Sequence, residues 1–159
     1  MKKVFSFSIL AAMISVAVMS CDKNNGKEDE DNGVNGGKFE FADKSYSLDS
    51  ATWAYYAASG RITLRLLHGE DAINIVLANV WKAEIPTGTF PFDQASTNTT
   101  FYGIGVAFSG IMGSGLGDDN LVISKSGNRY SITLAGTLKT TMGQGPYKVT
   151  YNGSIRKVN

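Results

Sequence analysis

Arg61-Ile62-Thr63-Leu64-Arg65-Leu66 alternates polar and apolar residues without a break. Successive side chains of a strand point to opposite faces, so Ile62, Leu64 and Leu66 share one face and Arg61, Thr63 and Arg65 the other. That is the pattern of a strand with one face on a core and one in water. Ala72 to Trp81 then runs apolar with Asn74 and Asn79 inside it, the pattern of a strand covered on both faces. His68-Gly69-Glu70-Asp71 separates the two, which read as a hairpin with a loop of about four residues.

The same period extends both ways, and helical periodicity is nearly absent. Toward the N-terminus, Thr52 to Ala58 carries Trp53 and Tyr55 on one side and Tyr56 on the other. Phe39 and Phe41 alternate with Lys38 and Glu40, Asp43-Lys44 reads as a turn, and Tyr46-Ser47-Leu48 returns. Toward the C-terminus, Pro86 and Pro91 cannot donate ladder hydrogen bonds, so Pro86 to Pro91 is a corner or an edge. Gln94 to Thr99 is polar and reads as a loop, and Phe101 to Ile111 alternates loosely. Gly113-Ser-Gly-Leu-Gly117 with Asp118-Asp119-Asn120 reads as a flexible turn. Leu121-Val122-Ile123 is a strand, and Ser126-Gly127-Asn128 turns the chain. Tyr130, Ile132, Leu134 and Leu138 then share a face. After a turn at Gly143-Gln144-Gly145-Pro146, Tyr147, Val149, Tyr151 and Ile155 alternate with polar residues. The expectation is an all-β, antiparallel sandwich or barrel of about eight to ten short strands. Parallel βαβ units do not fit the pattern, because no amphipathic helix of about 10–15 residues separates the strands.

That domain runs over 38–159, with 11 basic and 9 acidic side chains. A domain of roughly 120 residues buries about two-thirds of its unfolded surface and folds without a metal or disulfide. Its charge is too even for a nucleic-acid partner, which wants a concentrated basic face. Residues 1–20 differ in kind. Lys2 and Lys3 start a run, Val4 to Met19, that is apolar apart from Ser6, Ser8 and Ser15. Its 16 residues fall short of the roughly 20 needed to span a bilayer, so a removed secretory signal is the better reading. Cys21 is the chain's one cysteine, which rules out an intrachain disulfide. Residues 21–37 hold a single apolar side chain besides Cys21, Val34, and read as a flexible acidic tether. Sixteen residues of such coil span about 20–24 Å.

Residue types that carry chemistry are few. His68 is the single histidine, and no Gly-x-Ser-x-Gly elbow accompanies it. Glu70-Asp71 and Asp118-Asp119 are neighbours at turns, where acids bond the local backbone more readily than they face each other across a cleft. One His and one Cys make no zinc site. Gly103 to Gly117 does not fit a phosphate loop and reads as strand bulges and a mobile connection. The reading is therefore of no catalytic residue, no metal and no cofactor. Aromatic rings are the feature with binding potential: Tyr56, Trp81, Phe90 and Tyr102 are the candidates for a ligand platform. The competing fate, filling the core, suits Trp53 and Tyr55 better.

Val18-Met19-Ser20-Cys21 resembles the lipobox of bacterial lipoproteins. The resemblance implies that Cys21 becomes the lipid-bearing first residue of the mature chain, and two or more acyl chains anchor stably. Lys27-Glu28-Asp29-Glu30-Asp31 resembles the acidic surface-export signal of Bacteroides-group lipoproteins. That implies the outer membrane, facing the cell surface, over the inner-membrane retention that Asp22 would mean in enteric bacteria. Asp49-Ser50-Ala51 resembles the O-glycosylation acceptor of the same group, at Ser50. The order of features along 38–159 resembles small exported lipoproteins of that group with one lipocalin-like or sandwich β-domain. The matching parts are Phe39 to Leu48, Ile85-Pro86-Thr87-Gly88-Thr89-Phe90, Leu121-Val122-Ile123 then Tyr130-Ser131-Ile132-Thr133-Leu134, and Tyr151-Asn152-Gly153-Ser154-Ile155. A lipocalin's Gly-x-Trp is missing, since Ala51-Thr52 precedes Trp53. The expected role is a membrane-anchored, non-catalytic binding or accessory domain of a surface complex, with a glycan or outer-membrane protein as partner. The alternatives are a lipocalin-like carrier of a small apolar ligand and a hydrolase.

Overall fold

The computed structural model describes residues 35–158, so the expected signal, Cys21 and the tether as far as Val34 lie outside the described residues. Twelve strands follow: β1 Gly36–Phe41, β2 Lys44–Leu48, β3 Ser50–Tyr56, β4 Arg61–His68, β5 Asp71–Ala78 and β6 Gly88–Pro91. Then come β7 Thr100–Phe108, β8 Ile111–Gly115, β9 Asn120–Ser126, β10 Arg129–Thr140, β11 Gly143–Gly153 and β12 Arg156–Lys157. A 3-10 turn, Ala57–Ser59, links β3 to β4.

The sheet order is β12-β3-β4-β5-β7-β8-β10-β11-β1-β2. Its pairs are antiparallel except β12 with β3. Along one edge of the long β10, β9 takes over where β8 stops, and β6 pairs with β9. One residue, Asp49, joins β2 to β3, so the chain turns a corner there and the sheet curls into a half-barrel. The all-β expectation holds. The strand count exceeds eight to ten because β6 and β12 are short and Ile111–Gly115 pairs as a strand.

The alternation seen in Arg61–Leu66 sets the layering. Trp53, Leu64, Ile75 and Ile104 follow one another across β3, β4, β5 and β7 in register, and all four are buried. Phe39, Phe101, Phe108, Ile132, Leu134, Val149 and Tyr151 fill the interior beside them. Each fully buried Leu, Ile or Phe side chain contributes about 1.5–3 kcal/mol. Thr52, Arg65, Asn74 and Gly105 form the matching outward row.

Six local expectations are corrected. Gly36 and Gly37, read as the end of the tether, are paired with Asn152 and Tyr151 of β11. A Cβ on Gly37 would collide with the Thr150 carbonyl oxygen and stand 2.8 Å from the Tyr151 Cα, so only glycine allows this approach. The first hairpin turns at Ala42-Asp43, one residue early, with both residues at positive φ (51° and 60°). The β4–β5 hairpin has a two-residue loop, because His68 and Asp71 are themselves paired. Gly113-Ser114-Gly115 belongs to β8 and pairs with Thr140, Lys139 and Leu138, because the missing side chains let the strands close. Pro146 lies inside β11, opposite Thr137, and is tolerated there because β1 stops at Phe41, opposite Tyr147, leaving no ladder for Pro146 to break on that side. Nor is β5 covered on both faces: Asn74 and Val76 are half-buried on the outer side, and Trp81 lies beyond the strand's end at Ala78.

Candidate functional site

Three of the four platform aromatics meet at one end of the solvent-facing sheet. Tyr56 closes β3 and Arg61 opens β4 as its direct cross-strand partner. The Arg61 guanidinium lies 4.4 Å from the centroid of the Tyr102 ring, a cation–π contact. Tyr102 reaches that position through a bulge. The β5–β7 register slips between Val76 and Leu77, which leaves Tyr102 as the extra residue. The Gln94 amide donates to the Tyr102 carbonyl at 3.2 Å and ties the bulge to the loop before β7. Trp81 covers Gly60, the residue between the 3-10 turn and β4. A Cβ on Gly60 would stand 3.2 Å from the indole, and the Val80 N–H donates to the Gly60 carbonyl at 2.8 Å. Tyr56 is 55% and Trp81 73% exposed, and Tyr102 is half-buried.

Phe90 does not belong to this group. It is the one inward residue of β6, lies opposite Leu121 and is buried in the core. Trp53 takes the core fate expected of it, with the Lys157 ammonium 5.1 Å from its ring centroid, and Tyr55 is half-buried against that core.

His68 is exposed, yet it is tied. Its Nδ1 lies 2.6 Å from Asp49 Oδ2, in the corner between β2 and β3. Its ring lies against Phe108 at a centroid distance of 6.3 Å. The Ser109 hydroxyl donates to Asp71 at 3.2 Å rather than standing as a free nucleophile. Ser50, the expected glycosylation acceptor, is the exposed first residue of β3. Cys21 lies outside the described residues. Among the described residues, no three of His, Cys, Asp and Glu gather as metal ligands.

The two neighbouring aspartates part company. Asp118 accepts from the Thr137 hydroxyl at 2.7 Å and the Thr137 N–H at 3.0 Å, pinning the β8–β9 connection to β10. Those bonds hold its carboxyl below the usual range. Asp119 turns inward and is buried. Its carboxylate occupies the space that side chains would fill at Gly115 and Gly136. The Tyr147 hydroxyl donates to it at 2.8 Å and the Gly117 N–H at 3.4 Å. Burial pushes the Asp119 carboxyl upward, against the pull of those two donors. Burial also raises the Tyr147 phenol, and the Asp119 carboxylate raises it further. Nothing in Asp118-Asp119-Asn120 announces this inward turn; the signal is the pair of glycines at 115 and 136 that leave it room.

No protein-family model matches the chain, and no curated protein is detectably similar to it.

Proposed function

We propose that this chain is a non-catalytic binding domain that takes a saccharide on the outer face of its curled sheet. The observation that carries this reading is the gathering of exposed Tyr56 and Trp81 beside the Arg61–Tyr102 pair at one end of that face. Flat rings stack on the apolar faces of sugars, and rigid Tyr and Trp give contact area at low entropic cost. The interior is packed with Phe39, Phe101, Phe108 and Tyr151, which favours a surface site over the enclosed cavity of a carrier. His68 engaged with Asp49, and Ser109 with Asp71, give a hydrolytic reading no support.

The same proposal places the domain at the outer membrane, facing the cell surface, held by acyl chains on Cys21 through the acidic tether. It belongs on this reading with the small exported lipoproteins of the Bacteroides group. Electrophoresis of the protein through gels containing soluble polysaccharides tests the binding claim. Retardation by at least one polysaccharide that is lost in the Tyr56→Ala and Trp81→Ala variants supports it. Retardation unchanged in both variants refutes the aromatic site, and no retardation by any polysaccharide refutes the function.

A further inference from the structure

From Tyr56 the outer face descends into a groove of about 410 Å³. Thr52, Thr63, Arg65, Asn74 and Arg156 are among the residues that line it, along with Tyr56 itself. The register explains how two arginines come to share it. Arg156 of β12 pairs with Thr52 of β3, Thr52 with Arg65 of β4, and Arg65 with Asn74 of β5. Cross-strand partners project on the same face, so these four side chains stand in one row across four strands. Neighbouring strands lie about 4.8 Å apart, which puts the Arg156 and Arg65 backbones about 10 Å apart with Thr52 between them.

Polar groups in that row are unspent. Among the described residues, neither the Arg65 nor the Arg156 guanidinium has an ion-pair or hydrogen-bond partner. The Thr52 and Thr63 hydroxyls and the Asn74 amide have none either. None of these groups is sealed from solvent, since among the described residues no buried side-chain polar atom lacks a partner. Among the described residues, no Asp or Glu lines the groove. Of the acids nearest in sequence, Asp49 is engaged with His68 and Asp71 with Ser109, and Glu70 sits in the β4–β5 turn, outside the groove's lining. The two like charges that flank Thr52 repel each other weakly across that distance. An oxyanion seated above Thr52 turns that repulsion into attraction from both sides. It would accept charge-assisted bonds from two planar guanidiniums and a hydroxyl, the donor set suited to a carboxylate or sulfate.

We propose that this groove is an oxyanion subsite, and that the saccharide carries a carboxylate or sulfate group held by Arg65, Arg156 and Thr52, with Tyr56 under the sugar ring next to it. This rests on the saccharide reading above and deepens it. The groove is concave and walled by an aromatic ring, which suits a sugar acid better than the flat array of headgroups on a membrane.

The test is isothermal titration of the purified protein with polygalacturonate, dextran sulfate and neutral dextran. Sedimentation with vesicles of equal parts phosphatidylcholine and phosphatidylglycerol runs beside it. The expected result is binding to polygalacturonate or dextran sulfate, weakened about tenfold in Arg65→Gln and again in Arg156→Gln, with little binding to neutral dextran. Both arginines are exposed, so the variants keep the fold, and circular dichroism checks this. Binding to the anionic polymers that both variants retain overturns the subsite while leaving the saccharide reading in place, as does tight binding to neutral dextran alone. Sedimentation with the vesicles, without affinity for any polysaccharide, overturns both in favour of a membrane surface.

Discussion

Tyr147→Phe removes one oxygen, and the structure sets what that oxygen is worth. Its hydroxyl is 2.8 Å from Asp119 Oδ1, and the remaining donor to that carboxylate, the Gly117 N–H, is 3.4 Å from the other oxygen. Asp119 is 2% exposed, so water cannot replace the lost bond without a rearrangement. A bond to a charged acceptor contributes about 1.5–3 kcal/mol, and leaving a buried acceptor unsatisfied sits at the upper end of that range. The expected loss is therefore about 2–3 kcal/mol, or a Tm lower by about 10 °C for a domain of this size. In urea the midpoint should fall with the slope m unchanged. The charge gives a second readout. An unfolded Asp titrates near 3.8, and burial raises the folded value above that. Between the two, the folded state holds more protons than the unfolded state, so this carboxyl's contribution to stability is complete below 3.8 and declines as pH rises through the folded value. Asp119→Asn should flatten that decline relative to the parent. Tyr147→Phe, by removing a bond that favours the anion, should carry it to higher pH. A Tyr147→Phe protein within about 0.5 kcal/mol of the parent, or an Asp119→Asn protein with the parent's pH slope, would refute this account of the buried pair.

Two further predictions concern the backbone. Ala42 sits at φ 51°, where an L side chain is strained, so Ala42→Gly should raise stability by about 0.5–1 kcal/mol in urea unfolding despite the entropy glycine adds to the unfolded chain. Gly37→Ala should lower it by about 2 kcal/mol or more, because the new Cβ meets the Thr150 backbone and must push β1 away from β11; hydrogen exchange should then show faster exchange of the amides of Lys38 to Phe41.

Where a residue's role follows from its own alternation, the sequence is enough. Ile62, Leu64 and Leu66 are buried and Arg61 and Arg65 exposed, as the period demands. Tyr56 and Tyr55 part to opposite sides of β3 for the same reason. What depends on a distant segment is hidden. Gly113 and Gly115 look like a flexible turn until Lys139 and Asp119 are seen filling their space. Pro146 reads as part of a turn until β1 is found to end beside it. Asp119 looks like its neighbour Asp118, although one is buried and the other exposed. The candidate site divides in the same way. Three aromatics were legible because rings outside a core pattern are conspicuous, but Phe90's inward turn depends on β6 pairing with β9. The arginine row was invisible, because residues 156, 52, 65 and 74 become neighbours only through the strand order.

That row is also where the functional account stands or falls. Arginine Nε–H signals can be followed by NMR while the purified protein is titrated with oligogalacturonate. The account predicts that the Arg65 and Arg156 signals move together and saturate together, while Arg129, across the sheet on β10, stays still. Saturable binding that leaves Arg65 and Arg156 unmoved would contradict it.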